Sequence, residues 1–381
     1  MRLPILLSVL LLSVSSTFAQ KYYLFIGTYT EGGLSSGPSK GIYVYQFDEA
    51  TGDATPVSTI ATDNPSYLAL TPGGKYLYAV NETDGAKPGG VSAFAFDKTT
   101  GQLKFLDKQA SGGDDPCYIS VDSHRKWALV ANYSGGSFGC LPIHADGSLG
   151  AMTQLVQHTG KGATARQEKP HVHSTILSPD EKYLVVSDLG LDQLSVYHFN
   201  ARAATHPLTP MQDSIVPITP GSGPRHTSFY SGKPYVYLIS ELTGTVDAFH
   251  YTAGKLSPIQ RLSSNPEGYT GDIGSADIHV APGGKFLYAS NRGDGNTIAI
   301  YAIDNATGKL TSVGFQSTEG KGPRNFMIDP SGKYLLVGNQ RSNTVIIFQI
   351  DAKTGLLTDT GKKLEIPAPV CLKMGPKVPG M

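Results

Sequence analysis

Residues 277–292, DIHVAPGGKFLYASNR, carry the pattern that decides the fold. A short apolar run meets a Pro-Gly-Gly turn. A lysine follows, then a run that mixes apolar and aromatic side chains. Short runs of this kind, bounded by Gly and Pro, read as strands joined by a tight turn. The phrase recurs as YLALTPGGKYLYAVNE at 67–82, YISVDSHRKWALVANY at 118–133 and HSTILSPDEKYLVVSDL at 173–189. It recurs again as HTSFYSGKPYVYLISEL at 226–242 and NFMIDPSGKYLLVGNQ at 325–340. The marker lysines are Lys75, Lys126, Lys182, Lys233, Lys285 and Lys333, spaced 48 to 56 residues apart.

The remainder of each period supplies two more strands. Third-strand runs include GGVSAFAFD, DQLSVYHFN, GTVDAFHYT, NTIAIYAID and NTVIIFQID. Turns such as DKTTGQL, DNATGKL and DAKTGLL then open a fourth, with Gly supplying the positive φ of a tight hairpin. Four strands in roughly 50 residues make a propeller blade, not a helical solenoid. Six copies are complete and a seventh is split. Residues 22–27 and 41–47 read as its strands at the N-terminus, and the last strand signal lies near 364–366. Pairing strands from the two chain ends removes exposed sheet edges. The expected fold is all-β: a seven-bladed β-propeller with four antiparallel strands per blade, forming one domain over residues 20–381. Very little helix is expected, because no segment keeps a 3.6-residue period over ten residues.

Composition agrees. The 381 residues include 44 Gly and 25 Pro, which suits many short strands and turns. Lys+Arg and Asp+Glu are equal at 31 each, so the chain has no cation excess to offer nucleic acid or an anionic membrane surface. Residues 1–19 read as a secretory signal peptide: Arg2, an apolar core at 3–14, and Thr17-Phe18-Ala19 before the cut. That core is too short to span a bilayer. An exported protein, periplasmic or extracellular, is expected. Its cysteines, Cys117, Cys140 and Cys371, then meet an oxidising compartment. Cys117 and Cys140 either pair or stay as small buried thiols.

Where the repeats differ is where function belongs. The residues opening each inner strand and those ending the second strand converge on the propeller axis from different blades. His171, His173, Arg225, His226, Asp277, His279 and Arg324 open inner strands. Glu82, Tyr133, Leu189, Glu241, Arg292 and Gln340 follow second strands. Four of the ten histidines fall in three equivalent slots. Residues 158–170 and 210–223 read as loops that shape the mouth.

These repeats, with GPRH at 223–226, LISEL at 238–242, the quoted 277–292 stretch and GPRNF at 322–326, resemble the seven-bladed lactonase family. That family includes bacterial propeller-type 6-phosphogluconolactonases and the fungal carboxymuconate lactonising enzyme. The resemblance covers nearly the whole chain after residue 19. It implies site roles for His173, Arg225, Glu241 and Arg292, with His171 an alternative to His173, and it implies no cofactor and no metal.

The chemistry is consistent with the residues. A histidine takes a proton from water near neutral pH. Glu241 either orients that histidine or acts as the base itself. Arginine forks suit a carboxylate, a phosphate or a developing oxyanion. The expected catalytic set is His173, Glu241 and Arg292, with Arg225, His171, His226, Asp277, His279 and Arg324 binding a small lactone. Segments with the G-x-S-x-G spacing, such as GLSSG at 33–37 and GGSFG at 135–139, do not lead into a helical pattern as a nucleophile elbow does, and no dinucleotide fingerprint occurs. The spacings His171-x-His173 and Asp277-x-His279 do not by themselves complete a metal shell. One Trp, Trp127, speaks against propeller classes that repeat tryptophan. A muconate-type lactonising cycloisomerase and a non-enzymatic ligand- or protein-binding propeller remain as alternatives.

Overall fold

The computed structural model describes residues 20–31 and 39–379. The expected leader at 1–19 lies outside the described residues. Among the described residues, twenty-eight strands form seven four-stranded antiparallel sheets. Blade one pairs Pro369–Lys377, Lys21–Thr28, Gly41–Asp48 and Ala54–Ala61 in that order. Blades two to seven follow in chain order, their inner strands at Leu68–Leu70, Pro116–Val121, Val172–Leu177, Pro224–Phe229, Ser275–Val280 and Pro323–Ile328. Each inner strand packs on the inner strands of its neighbours, so the seven ring a common axis. Helix among the described residues is limited to two 3-10 turns, Pro72–Gly74 and Ala165–Gln167.

The recurring residues have identifiable work. Second strands are buried along their length, as in Phe286–Asn291 and Tyr334–Asn339. Their tyrosines reach into the next blade: the hydroxyls of Tyr78, Tyr237 and Tyr288 donate to the carbonyls of Gly147, Gly308 and Gly355 at 2.9, 3.1 and 2.8 Å. A buried aromatic with its polar tip bonded holds adjacent blades without an unmet hydroxyl. The turn glycine is needed twice over. Gly308 has φ 72°, and a Cβ there would run into the Tyr235 ring. At the other end of the second strand, Asn81, Asn132 and Asn339 donate from Nδ2 to Asp63, Ser111 and Thr318 carbonyls at 2.6, 3.0 and 2.8 Å. These amides pin the segment that arrives from the preceding blade, and so fix the loops at the mouth.

Two expectations are corrected. The ring is closed by Pro369–Lys377 against Lys21–Thr28, with Ile26 opposite Leu372. Residues 364–366 instead end blade seven, whose outer strand is Leu357–Glu365. PVCLKMGPK holds two prolines and a glycine, which read as strand breakers. The innermost strand has only one sheet neighbour, so a missing N–H on its channel side breaks no ladder. Second, most of 210–223 is the outer strand Leu208–Pro217, an exposed edge with a weak apolar signal. Of the two outcomes open for the cysteines, the small buried thiol holds: Cys117, Cys140 and Cys371 are all free and buried. No helix among the described residues is long and apolar enough to cross a membrane.

Candidate active site

A β-bulge sits at the opening of the inner strands. Register slips between Pro116 and Tyr118, Val172 and Ser174, Pro224 and His226, and Pro323 and Asn325. The extra residues are Cys117, His173, Arg225 and Arg324. A bulge re-aims one side chain that regular alternation would send elsewhere. Together with the residues after second strands, these side chains form a cavity of about 320 Å3 lined by Glu82, Asp115, Cys117, Tyr133, Ser134, Arg166, His173, Glu241, Arg292 and Arg324. Its size is at the lower end for small-molecule sites, roughly 300–1,000 Å3. A depression of about 590 Å3 lies along blades five and six, but its lining holds one acid, Glu267, and no base.

Glu241 is the electrostatic hub. Its Oε2 accepts from Arg225 Nε at 2.9 Å and pairs with Arg292 Nη2 at 2.8 Å, while Arg166 Nη2 reaches Oε1 at 3.3 Å. Burial alone raises a carboxyl's pKa, but Arg292, Arg225, Arg166 and Arg324 outweigh it and hold Glu241 at about 2. Burial pulls Arg292 down to about 10, which leaves it charged at neutral pH. Its Nε also donates to the Gly274 carbonyl at 2.9 Å. Arg225 is 1% exposed and lies beneath the cavity rather than in its lining.

His173 lines the cavity and is 4% exposed. Burial, then the charges of Arg225, His226 and Arg324, lower its pKa well below the ordinary value. It is neutral at pH 7. Its Nδ1 lies 3.7 Å from Cys117 Sγ, and Nε2 has no hydrogen-bond partner among the described residues. Glu241 makes no hydrogen bond to His173; its carboxylate is committed to arginines.

The other expected residues separate into layers. Arg324 lines the cavity, lies 5.3 Å over the Tyr29 ring and 3.7 Å from Glu82 Oε1. His226 lies one layer below, edge-on to His173 with ring centroids 5.2 Å apart. Its Nδ1 is 2.8 Å from Asp277 Oδ1 and its Nε2 is 3.4 Å from Arg225 Nη1. Nε2 therefore accepts from the guanidinium and Nδ1 donates to Asp277. Burial and Arg225 lower His226 to about 4. Asp277 Oδ2 meets His279 Nε2 at 2.9 Å and accepts from Asn325. His279 packs on Phe326, ring centroids 4.8 Å apart. Asp277 and His279 thus support the site from below and do not line the cavity. His171 stacks on Tyr133 at 4.4 Å, with Nδ1 3.2 Å from the Tyr133 carbonyl and Nε2 3.3 Å from Glu168. It braces the wall and is outside the lining.

Sequence reasoning missed Arg166, Glu82, Asp115, Cys117, Tyr133 and Ser134 as lining residues. Glu82 and Tyr133 occupy the same slot as Glu241 and Arg292, so that equivalence was the available signal. Arg166 comes from the 3-10 turn Ala165–Gln167 in the 158–170 loop, which no other blade repeats.

The model of the family described as "Lactonase, 7-bladed beta-propeller" matches residues 23–374. The 6-phosphogluconolactonase of Bacillus subtilis is 36% identical over 93% of this chain and 98% of its own length. A protein named 6-phosphogluconolactonase from Formosa agariphila is also 36% identical, over 92% and 99%. The solved structure of the Pseudomonas aeruginosa periplasmic gluconolactonase superposes with a TM-score of 0.89 at 37% identity, covering 94% of this chain and 100% of that one.

Proposed function

The chain belongs to the seven-bladed β-propeller lactonase family, and from that premise we propose that it hydrolyses a sugar lactone at the mouth cavity. The observation that carries this reading is a neutral, buried His173 in one small cavity with the cations Arg292, Arg324 and Arg166. His173 takes a proton from water as the water oxygen attacks the lactone carbonyl carbon. Arg292 neutralises charge on the carbonyl oxygen as it becomes an oxyanion. The C–O bond to the ring oxygen then breaks. That oxygen receives the proton held by His173, and the open-chain hydroxy acid leaves. No covalent enzyme intermediate is involved. Glu241, held ionised by its arginines, is a poor proton acceptor; it positions Arg292 and Arg225 instead.

We assign the substrate as an unphosphorylated aldonolactone met outside the cytoplasm. The reading of residues 1–19 as a leader supports this, as does similarity to a protein named a periplasmic gluconolactonase. The arginines also suit a phosphate, so 6-phosphogluconolactone is the second reading. Initial rates on δ-gluconolactone and 6-phosphogluconolactone, with fractionation of cells making the full chain, decide between them. Processed protein outside the cytoplasm that prefers δ-gluconolactone is expected. Unprocessed cytoplasmic protein that prefers the phosphorylated ester would overturn this choice.

A further inference from the structure

The cavity is electrically two-sided. On the side of blades five to seven, Glu241 is consumed by its arginines, so that wall offers hydrogen-bond donors. On the side of blades two and three stand two carboxylates, Glu82 and Asp115. They are held side by side, because the Asp115 N–H donates to the carbonyl of Thr83, the residue after Glu82. Asp115 Oδ2 accepts from Ser134. Glu82 Oε1 accepts from the Tyr29 hydroxyl at 2.7 Å. Glu82 Oε2 is buried and has no hydrogen-bond partner among the described residues. An oxygen of a carboxylate that is nine-tenths buried normally has a donor, and this one belongs to a residue lining the cavity.

We propose that Glu82, supported by Asp115, is the hydroxyl-accepting wall of the site and selects lactones whose ring carries free hydroxyl groups. Only a donor satisfies Glu82 Oε2. Carbonyl, carboxylate and phosphate oxygens are acceptors, and they are turned toward Arg292 and Arg166 across the cavity. The two walls together fix which edge of the ring faces which way. A polyhydroxylated aldonolactone fits this arrangement. An unsaturated diacid, rich in acceptors at both ends, does not. This deepens the lactonase reading and rests on it.

The test compares a hydroxylated and a hydroxyl-poor ligand, by binding and by turnover. Calorimetry measures D-gluconate and 5-hydroxypentanoate on wild type, Glu82→Gln and Glu82→Ala. Hydrolysis is followed on δ-gluconolactone and δ-valerolactone. A hydrogen bond to a charged group corresponds to about a ten- to hundredfold effect. Glu82→Ala is therefore expected to weaken gluconate by that factor, with Glu82→Gln intermediate. For 5-hydroxypentanoate and δ-valerolactone, a change of less than about threefold is expected. Equal losses on both ligands, or no loss on either, would overturn the assignment. Glu82→Gln keeps the side chain's shape and serves if the alanine variant does not fold. Gluconate that binds, with the expected Glu82 dependence but without turnover, would sink the lactonase reading and leave the hydroxyl wall standing. Wild type that neither binds gluconate nor turns over δ-gluconolactone would sink both.

Discussion

Glu241 Oε2 lies 2.8 Å from Arg292 Nη2, and the same oxygen accepts from the fully buried Arg225 at 2.9 Å. One carboxylate thus holds two cations that have little access to water. Removing it strands both. Loss of one partner from a buried ion pair costs about 3–5 kcal/mol. Glu241→Ala is expected to lose stability of that order in urea unfolding, while Arg166→Ala, at a residue largely in solvent, is expected to lose under about 1 kcal/mol. Similar midpoints for the two variants would show that Glu241 is not the hub.

Stability should fall on mild acidification through His226. Its folded pKa, about 4, is below the ordinary 6.5. A histidine with a depressed folded pKa contributes fully above pH 6.5 and loses that contribution as pH falls toward 4. Between pH 6.5 and 5 this amounts to about 2 kcal/mol. Glu241, ordinarily near 4.5 and here about 2, adds its own loss only at lower pH. His226→Gln should flatten the slope between pH 6.5 and 5. An unchanged slope would mean His226 does not titrate as its surroundings demand.

The 158–170 loop is seated by close backbone packing. Gly190 lies against it, and a Cβ there would collide with the carbonyl oxygen of Lys169 and the N–H of His171. Gly190→Ala should therefore push this loop outward and carry Arg166 away from Tyr133 and Glu241. The expected outcome is a KM raised about tenfold on the lactone, matching Arg166→Ala, with kcat within about threefold; a lost charge-assisted contact of about 1.4 kcal/mol gives that factor. An unaltered KM in both variants would remove Arg166 from substrate binding.

The ring was legible because each blade repeats the same physical problem. A buried second strand needs a tyrosine or apolar run, a hairpin glycine and an amide to pin the incoming chain, so Lys75 to Lys333 mark time along the sequence. The split blade was legible only at its N-terminal half. Pro369–Lys377 lacks the motif because its partner strand is more than 300 residues away, and Tyr29, the counterpart of Glu241 in that blade, stayed hidden with it. In the site, the bulge residues His173, Arg225 and Arg324 and the strand-end residues Glu241 and Arg292 were readable as departures from the repeat. Depth was not. Nothing in the spacing says that His226, Asp277 and His279 sit below the cavity, or that His171 braces Tyr133. Arg166 belongs to an insertion without a repeat to compare.

The most direct measurement is hydrolysis of δ-gluconolactone by the purified protein across pH 5.5 to 8, alongside His173→Ala and Arg292→Ala with their folding checked by thermal melts. Because burial and neighbouring cations keep His173 unprotonated well below 6.5, wild-type kcat/KM should hold from pH 7 down to 6. General-base loss is worth about 10²–10⁴, so His173→Ala should fall by at least a hundredfold with its melt intact, and Arg292→Ala by a comparable factor, its melt lowered by the broken pair with Glu241 but still above the assay temperature. Folded variants as active as wild type, or a wild type inactive on both gluconolactone and its 6-phosphate, would contradict the account.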